Sequence, residues 1–460
     1  MAGAKVVEYT LGNGMRVLIA ERHSDPVVAS VLFYRCGSRN EAEHEAGLSH
    51  FLEHMMFKGS KNFGKGQVDG VTAALGGQNN AFTGYDHTAY WFEFASDRWE
   101  RALDLELDRM TALTLDPEEF DSERQVVLEE LSMGEDDPWR LLARRVEALV
   151  FGRHPYGRPI IGSPEALAIA TPESMRAYHE RFYHPGNATI VVCGDVKPRK
   201  ALAAIEARFG DLPGGKSFED VDVWRPTIAE PGGEQRLEMN WDDRGKRLCM
   251  AWPTAAVGTD EDYALDVLMT ILASGRTSRL QSSLVYDSEL ALSLSASNDT
   301  RVEHGAFWLY AEASNDSEPE QVEAIIEQEL EGLATKAPGA AEMKRAKAML
   351  LASESYDGET VSDLAEELGE WAVDWKWQAS FDGGERHARV TSAAVKDAAA
   401  RLLTRDRRVV GWCLPEDSPD KSPAKPAAKS RRKAKAASKS KPKTVRKKAR
   451  QASTAPKGDI

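Results

Sequence analysis

The sequence predicts a mixed α/β (α+β) protein built from two similar halves and followed by a basic tail. Strand and helix patterns alternate over most of the 460 residues, and the same order of elements begins again after a segment rich in Gly and Pro. The final stretch has hardly any large apolar side chains. We therefore expect a first α/β domain over 1–210, a linker over 211–235, a second α/β domain over 236–415 and a disordered tail over 416–460.

The first half begins with a strand, an Asn-Gly turn and a second strand over residues 6–21. Apolar residues at helical spacing follow, and the strand "NATIVVCGDV" closes this half. The predicted helices cover 45–58, 64–75, 98–113, 117–136 and 164–182.

The second half repeats this order, in its elements more than in identical residues. It starts with a strand, a turn and a strand at 235–254, continues with a helix at 260–275, and has later strands at 305–313 and 407–415. Such a repeat is typical of a duplicated domain. Its first helix has aliphatic residues where the first half carries two histidines and a glutamate, so we expect the chemistry in the first half alone.

The composition predicts a soluble cytoplasmic protein. Hydrophobic residues make up 42% and charged residues 29% of the chain. The four cysteines (Cys36, Cys193, Cys249 and Cys413) form no CxxC pair, which fits a reducing compartment. The first residues contain no apolar segment of signal-peptide length, and no run approaches the roughly 20 apolar residues of a membrane span.

The tail has the opposite charge to the rest of the chain. Residues 421–460 contain 15 Lys or Arg and one acidic residue, a net charge of +14. Because the whole chain has a net charge of −14, residues 1–420 carry −28. Such a tail can bind polyanions weakly through phosphate contacts, or it can stay solvated or lie on the acidic body. Its charges are not interleaved with aromatic residues, which disfavours nucleic-acid binding as the main function.

The segment "GLSHFLEHMMFKG" places His50, Glu53 and His54 in an otherwise apolar run. On a helix, positions i and i+4 lie one turn apart and i+3 lies beside them. Two histidines at this spacing can converge on one zinc ion, which then needs a third protein ligand.

The predicted helix "DPEEFDSERQVVLEEL" offers that ligand. Glu123 and Glu130 lie on the same stripe as its apolar residues, whereas Glu129 is about 100° away and is expected to be solvated. Glu130 therefore suits the metal, and Glu123 suits an outer partner that orients a ligand.

The pattern His-x-x-Glu-His, with Glu130 beyond it, resembles the pitrilysin-type zinc peptidases, or inverzincins. This family includes insulin-degrading enzyme and the mitochondrial processing peptidase, and has bacterial relatives. "GSRNEAEHEAGLSHFLEHMMFKGS", "GGQNNAFTGYDHTAYW", "HPYGRPIIGSPEAL" and "YHPGNATIVVCGDV" are similar to family segments in the same order. The resemblance implies half of a peptidase clamshell, in which two related halves enclose a cavity where peptides or extended segments are cut.

The resemblance also implies roles for individual residues. His50, His54 and Glu130 would hold one Zn²⁺ per chain, and Glu53 would act as the general base, which fits a free carboxylate between two zinc ligands. Asn80 and Ala81 match the family's substrate-binding edge strand. Simple turn chemistry is the alternative reading of Asn80.

One departure from the family pattern bears on whether the chain needs a partner subunit. Family members contact substrate across the cavity with an Arg and a Tyr seven residues apart, and counting from Arg279 these positions hold Val285 and Leu292. We therefore expect a heterodimer with a related, metal-free subunit, with a homodimer as the second choice. A looser site in which Tyr286 substitutes is the remaining alternative.

Three functions remain open at this point. The first is a zinc metalloendopeptidase. The second is a non-catalytic structural subunit of the same fold, and the third is a nucleic-acid-associated protein that acts through its tail. The GxGxxG and GxxxxGK[ST] phosphate loops are absent from the sequence, which excludes the common nucleotide-driven enzymes.

Overall fold

A computed structural model describes residues 5–216, 228, 232–356 and 358–416. The expected disordered tail, from residue 417 onward, and part of the expected linker lie outside the described residues. None of the described helices combines the length and the apolar character needed to cross a membrane.

Two sheets organise the described chain. The strands of the first sheet are β1 Lys5–Thr10, β2 Arg16–Glu21, β3 Val27–Tyr34, β4 Gln78–Thr83, β5 Thr88–Ala95 and β6 Ala188–Gly194. The strands of the second are β7 Gln235–Trp241, β8 Lys246–Thr254, β9 Ala291–Asp299, β10 Gly305–Ala313 and β11 Val409–Pro415.

Helices surround both sheets. The first half contains α1 Leu48–Met55, α2 Gln67–Ala74, α3 Glu100–Ala112, α4 Pro117–Glu135, α5 Pro138–Phe151, α6 Pro164–Ile169, α7 Pro172–Phe182 and α8 Pro198–Phe209. The second contains α9 Asp260–Ala273, a π-helical turn Gln281–Asp287, α10 Pro319–Thr335, α11 Ala340–Tyr356, α12 Val361–Asp374, α13 Ala379–Arg389 and α14 Ser392–Leu402.

The topology of the two sheets repeats. The first has the order β1-β2-β6-β3-β5-β4 and the second β7-β11-β8-β10-β9, so without β1 the two orders are the same. Each sheet has one parallel pair, β2 with β6 and β7 with β11, and the other neighbours are antiparallel. This repeat confirms the expected fold of two related α/β halves.

Two details differ from the sequence-based prediction. The strands β7 and β8 exist, but β11 lies between them, so they form no hairpin. The predicted helix 164–182 is two helices, because Thr171 caps a new helix that starts at Pro172. The first difference depends on contacts distant in sequence, and the second follows from a local proline signal.

Each half covers one face of its sheet with its own helices and the other face with a helix from the other half. The helix α12 packs its buried Leu364 and Leu368 on the first sheet beside Val31 and Phe33. Conversely, α5 packs on the second sheet, in a cluster that includes Cys249 and Val409. This exchange of α5 and α12 connects the two halves through apolar packing. The expected domain boundaries stay a prediction.

Candidate active site

The helix α1 that carries the HxxEH sequence has a firmly held N-terminus. Gly47 precedes it at φ 96°, and a Cβ there would lie 2.5 Å from the carbonyl oxygen of Ile161, so only glycine fits. The backbone N–H groups of Gly47 and Ser49 donate to the buried carboxylate of Glu41 at 2.9 and 2.7 Å. Burial raises the pKa of Glu41 to about 7 although these bonds oppose the shift.

Apolar packing orients α1. Phe51, Leu52 and Met55 are fully buried in the hydrophobic core of the first half. The ring centroid of Phe51 lies 4.6 Å from that of Phe120 on α4. The two histidines emerge on the other side of the helix, where their ring centroids are 4.7 Å apart. The apolar face therefore determines the direction in which the polar residues point.

The helix α4 brings Glu130 to the same place. Its N-terminus is capped by Asp116 followed by Pro117. Glu130 Oε2 lies 3.8 Å from His50 Nε2 and 3.6 Å from His54 Nε2. In the part of the chain that the structure describes, these three residues form the one group of three or more His, Cys, Asp and Glu that could hold a metal, with ligand atoms within 4.8 Å of one another. Glu129 is exposed to solvent as expected, but so is Glu130, so exposure does not distinguish the two residues.

Glu123 lies behind the group formed by His50, His54 and Glu130. Its Oε1 is 2.9 Å from His54 Nδ1 and its Oε2 is 2.5 Å from Lys58 Nζ. Burial opposes ionisation of Glu123, but the hydrogen bonds from Lys58 and His54 outweigh it and lower its pKa. In the tautomer in which Nδ1 of His54 donates to Glu123, Nε2 carries the lone pair, and this nitrogen lies 3.6 Å from Glu130 Oε2.

The donors suit zinc, which binds imidazole nitrogen and carboxylate oxygen. Burial, assisted by the neighbouring His54, lowers the pKa of His50 to about 4. His50 is therefore neutral near pH 7 and can offer a lone pair to a cation.

Glu53 lies between the two histidines in sequence, and the hydroxyl of Thr83 binds it. Thr83 Oγ1 donates to Glu53 Oε2 at 2.6 Å. Burial raises the pKa of Glu53, against the bond from Thr83 and the nearby His54. Thr83 was not among the residues expected from the sequence, although its spacing from Ala81 in "QNNAFT" places both on one face of a strand.

Asn80 and Ala81 lie on β4, at the edge of the first sheet. Among the described strands β4 pairs with β5 alone, and it contacts α1. Ala81 packs against the core that contains α1, whereas Asn80 is exposed. By strand alternation, the side chain of Asn80 points to the face opposite that of Thr83.

Val285 and Leu292 occupy the positions at which the resemblance implies an Arg and a Tyr. Val285 lies in the π-helical turn and is half-buried, and Leu292 on β9 is 62% exposed. Tyr286 is also exposed, and the guanidinium of Arg276 lies 4.9 Å from its ring centroid.

Comparison with known proteins identifies relatives of most of the described chain. Residues 16–164 match the family model "Insulinase (Peptidase family M16)", and residues 170–350 match "Peptidase M16 inactive domain". An uncharacterized zinc protease of Mycobacterium bovis is 31% identical over 309 residues, covering 66% of this chain and 69% of that protein. The zinc protease PqqE of Helicobacter pylori is 29% identical over 338 residues, which cover 71% of this chain and 75% of that protein.

Solved structures agree with this result. A protease from Helicobacter pylori superposes with a TM-score of 0.83 at 26% identity. The superposition covers 90% of this chain and 100% of that protease. The periplasmic protease PqqL from Escherichia coli shares the fold, with a TM-score of 0.74 at 21% identity, over 89% of this chain and 47% of that one.

Proposed function

Because this chain belongs to the M16 family of peptidases, as its sequence predicted, we propose that it is a zinc-dependent endopeptidase that cleaves peptides or extended polypeptide segments. The observation that carries the proposal is the convergence of His50, His54 and Glu130, with ligand atoms within 4.8 Å, beside Glu53. Relatives named zinc proteases support zinc as the metal.

In this proposal His50, His54 and Glu130 hold one zinc ion, which when bound lowers the pKa of water and polarises the scissile carbonyl. Glu53 takes the proton from the attacking water and delivers it to the leaving amine. Glu123 keeps the ring of His54 in one orientation through its bond to Nδ1.

The edge strand β4 suits an extended substrate, which would add to the sheet as a further strand beside α1. Main-chain groups of Asn80 and Ala81 would then pair with the substrate backbone. Because the side chain of Asn80 points away from the face of Thr83, we assign its contribution to the backbone.

A partner chain completes the proposal. The side chains of Val285 and Leu292 cannot donate a hydrogen bond or carry a charge. They therefore cannot bind a substrate as an Arg and a Tyr at these positions would. We propose a heterodimer with a related, metal-free subunit that supplies them, with a homodimer as the alternative. We also propose a cytoplasmic location, which fits four cysteines that are all buried and unpaired.

A non-catalytic structural subunit is the second candidate, favoured by the same two apolar positions. The decisive experiment compares wild type with Glu53→Gln, alone and with a candidate partner, for hydrolysis of a peptide library and for bound zinc. We expect hydrolysis that a chelator abolishes, and a Glu53→Gln variant that keeps zinc but loses turnover by orders of magnitude. Zinc binding without hydrolysis by any pair would favour the structural subunit.

The tail gives a third candidate function, binding of nucleic acid or other polyanions. It is tested by salt-sensitive DNA binding before and after deletion of 421–460.

A further inference from the structure

We propose that Thr83 is a positioning residue that holds the carboxylate of Glu53 in the orientation required of a general base. The inference rests on the proposed function and deepens it, because it concerns the same site. Thr83 Oγ1 donates to Glu53 Oε2 at 2.6 Å, and no other described side chain donates to this carboxylate.

The bond leaves one carboxylate oxygen free. A glutamate side chain has three rotatable bonds, so a partly buried carboxylate can point in several directions unless a donor restrains it. Thr83 holds Oε2 of Glu53, and in the ionised form that a general base requires, such a hydrogen bond is stronger than one between neutral groups. Oε1 then remains available to accept the proton of the attacking water.

Thr83 is itself held by the fold and not by Glu53. It is the last residue of β4 and pairs directly with Thr88 of β5. Its β-branched side chain has few χ1 rotamers. The hydroxyl is therefore restricted to a few positions even without Glu53.

The turn that follows Thr83 is fixed by buried polar contacts. The carboxylate of Asp86 accepts a hydrogen bond from Tyr156 Oη at 2.7 Å, and His87 Nδ1 lies 2.9 Å from Asp374 on α12. Partners from both halves of the chain thus restrain the end of β4. A rigid support of this kind is what a positioning contact requires.

The test compares Thr83→Val, which keeps the shape and removes the hydroxyl, with Thr83→Ser, which keeps the hydroxyl. For Thr83→Val we expect a fall in kcat of roughly 10- to 100-fold, with KM and bound zinc unchanged, and for Thr83→Ser a recovery to within about threefold of wild type. Thr88→Val is the matched control, because it removes a buried threonine hydroxyl from the same strand pair, one that donates to the carbonyl of Cys36. It should leave kcat unchanged.

A second readout does not depend on activity. Crystal structures of the variants should show Glu53 bound to the hydroxyl in Thr83→Ser and in more than one orientation in Thr83→Val. An unchanged Glu53 in Thr83→Val, an unchanged kcat, a Ser variant as slow as Val, or loss of zinc in Thr83→Val would each overturn the inference. If zinc-loaded wild type cleaves no peptide with any partner, the proposed endopeptidase function fails, whereas the crystallographic comparison still decides the role of Thr83.

Discussion

The contact between Glu123 and His54 leads to a prediction about metal affinity. Glu123 Oε1 lies 2.9 Å from His54 Nδ1, and its other oxygen contacts Lys58. Removing such an outer partner of a metal ligand typically weakens metal binding 10- to 100-fold, or about 1.4 to 2.7 kcal/mol. We expect about 100-fold for Glu123→Ala, which removes the acceptor, and about 10-fold for Glu123→Gln, which keeps an oxygen but loses the charge.

The assay is a zinc titration against a competing chelator at constant pH, which yields a Kd for each variant. Glu129→Gln is the matched control, because Glu129 is an exposed glutamate on the same helix. Its Kd should equal that of wild type. A Glu123→Ala variant that binds zinc as tightly as wild type, or a Glu129→Gln variant weakened as much as Glu123→Ala, would refute the assignment of Glu123.

Glu130→Ala should lose bound zinc by metal analysis whereas Glu129→Ala retains it, and the reverse would contradict the ligand assignment. Deleting 421–460 should leave the melting temperature and the peptidase activity nearly unchanged, and a drop of many degrees would mean that the tail packs on the body. Burial opposes protonation of His87, but the attraction of Asp374 raises its pKa from 6.5 to about 9. The ion pair therefore stabilises the fold fully below about pH 6.5 and is lost as pH rises through 9, so unfolding free energies should decline over this range, and less steeply in His87→Gln.

The group of His50, His54 and Glu130, which could hold a metal, could be proposed from the sequence because most of its geometry is local. The i and i+4 spacing fixes His50 and His54 relative to each other, and the apolar stripe of α4 selects Glu130 over Glu129. The meeting of the two helices was expected from zinc's need for a third ligand and from the resemblance, since no local pattern contains it. Thr83 escaped notice because its partner Glu53 lies 30 residues away, on a different element.

The strand order could not be read from the sequence. The placement of β11 between β7 and β8 joins segments separated by more than 150 residues, and hydrophobic periodicity carries no information about such pairings. The packing partners of α5 and α12 could not be predicted for the same reason. Their apolar stripes predict that they pack, but they do not specify that each packs on the sheet of the other half.

The exchange of α5 and α12 has a consequence for the order in which the chain can fold as it is synthesised. One face of the first sheet, with Phe33 and Val191, stays uncovered until residue 374 has left the ribosome. Gly369 fits there closely, since a Cβ at that position would overlap the ring of Phe33. The first half therefore cannot finish folding during its own synthesis, and we expect a nascent chain that stops near residue 210 to expose an apolar surface that recruits chaperones.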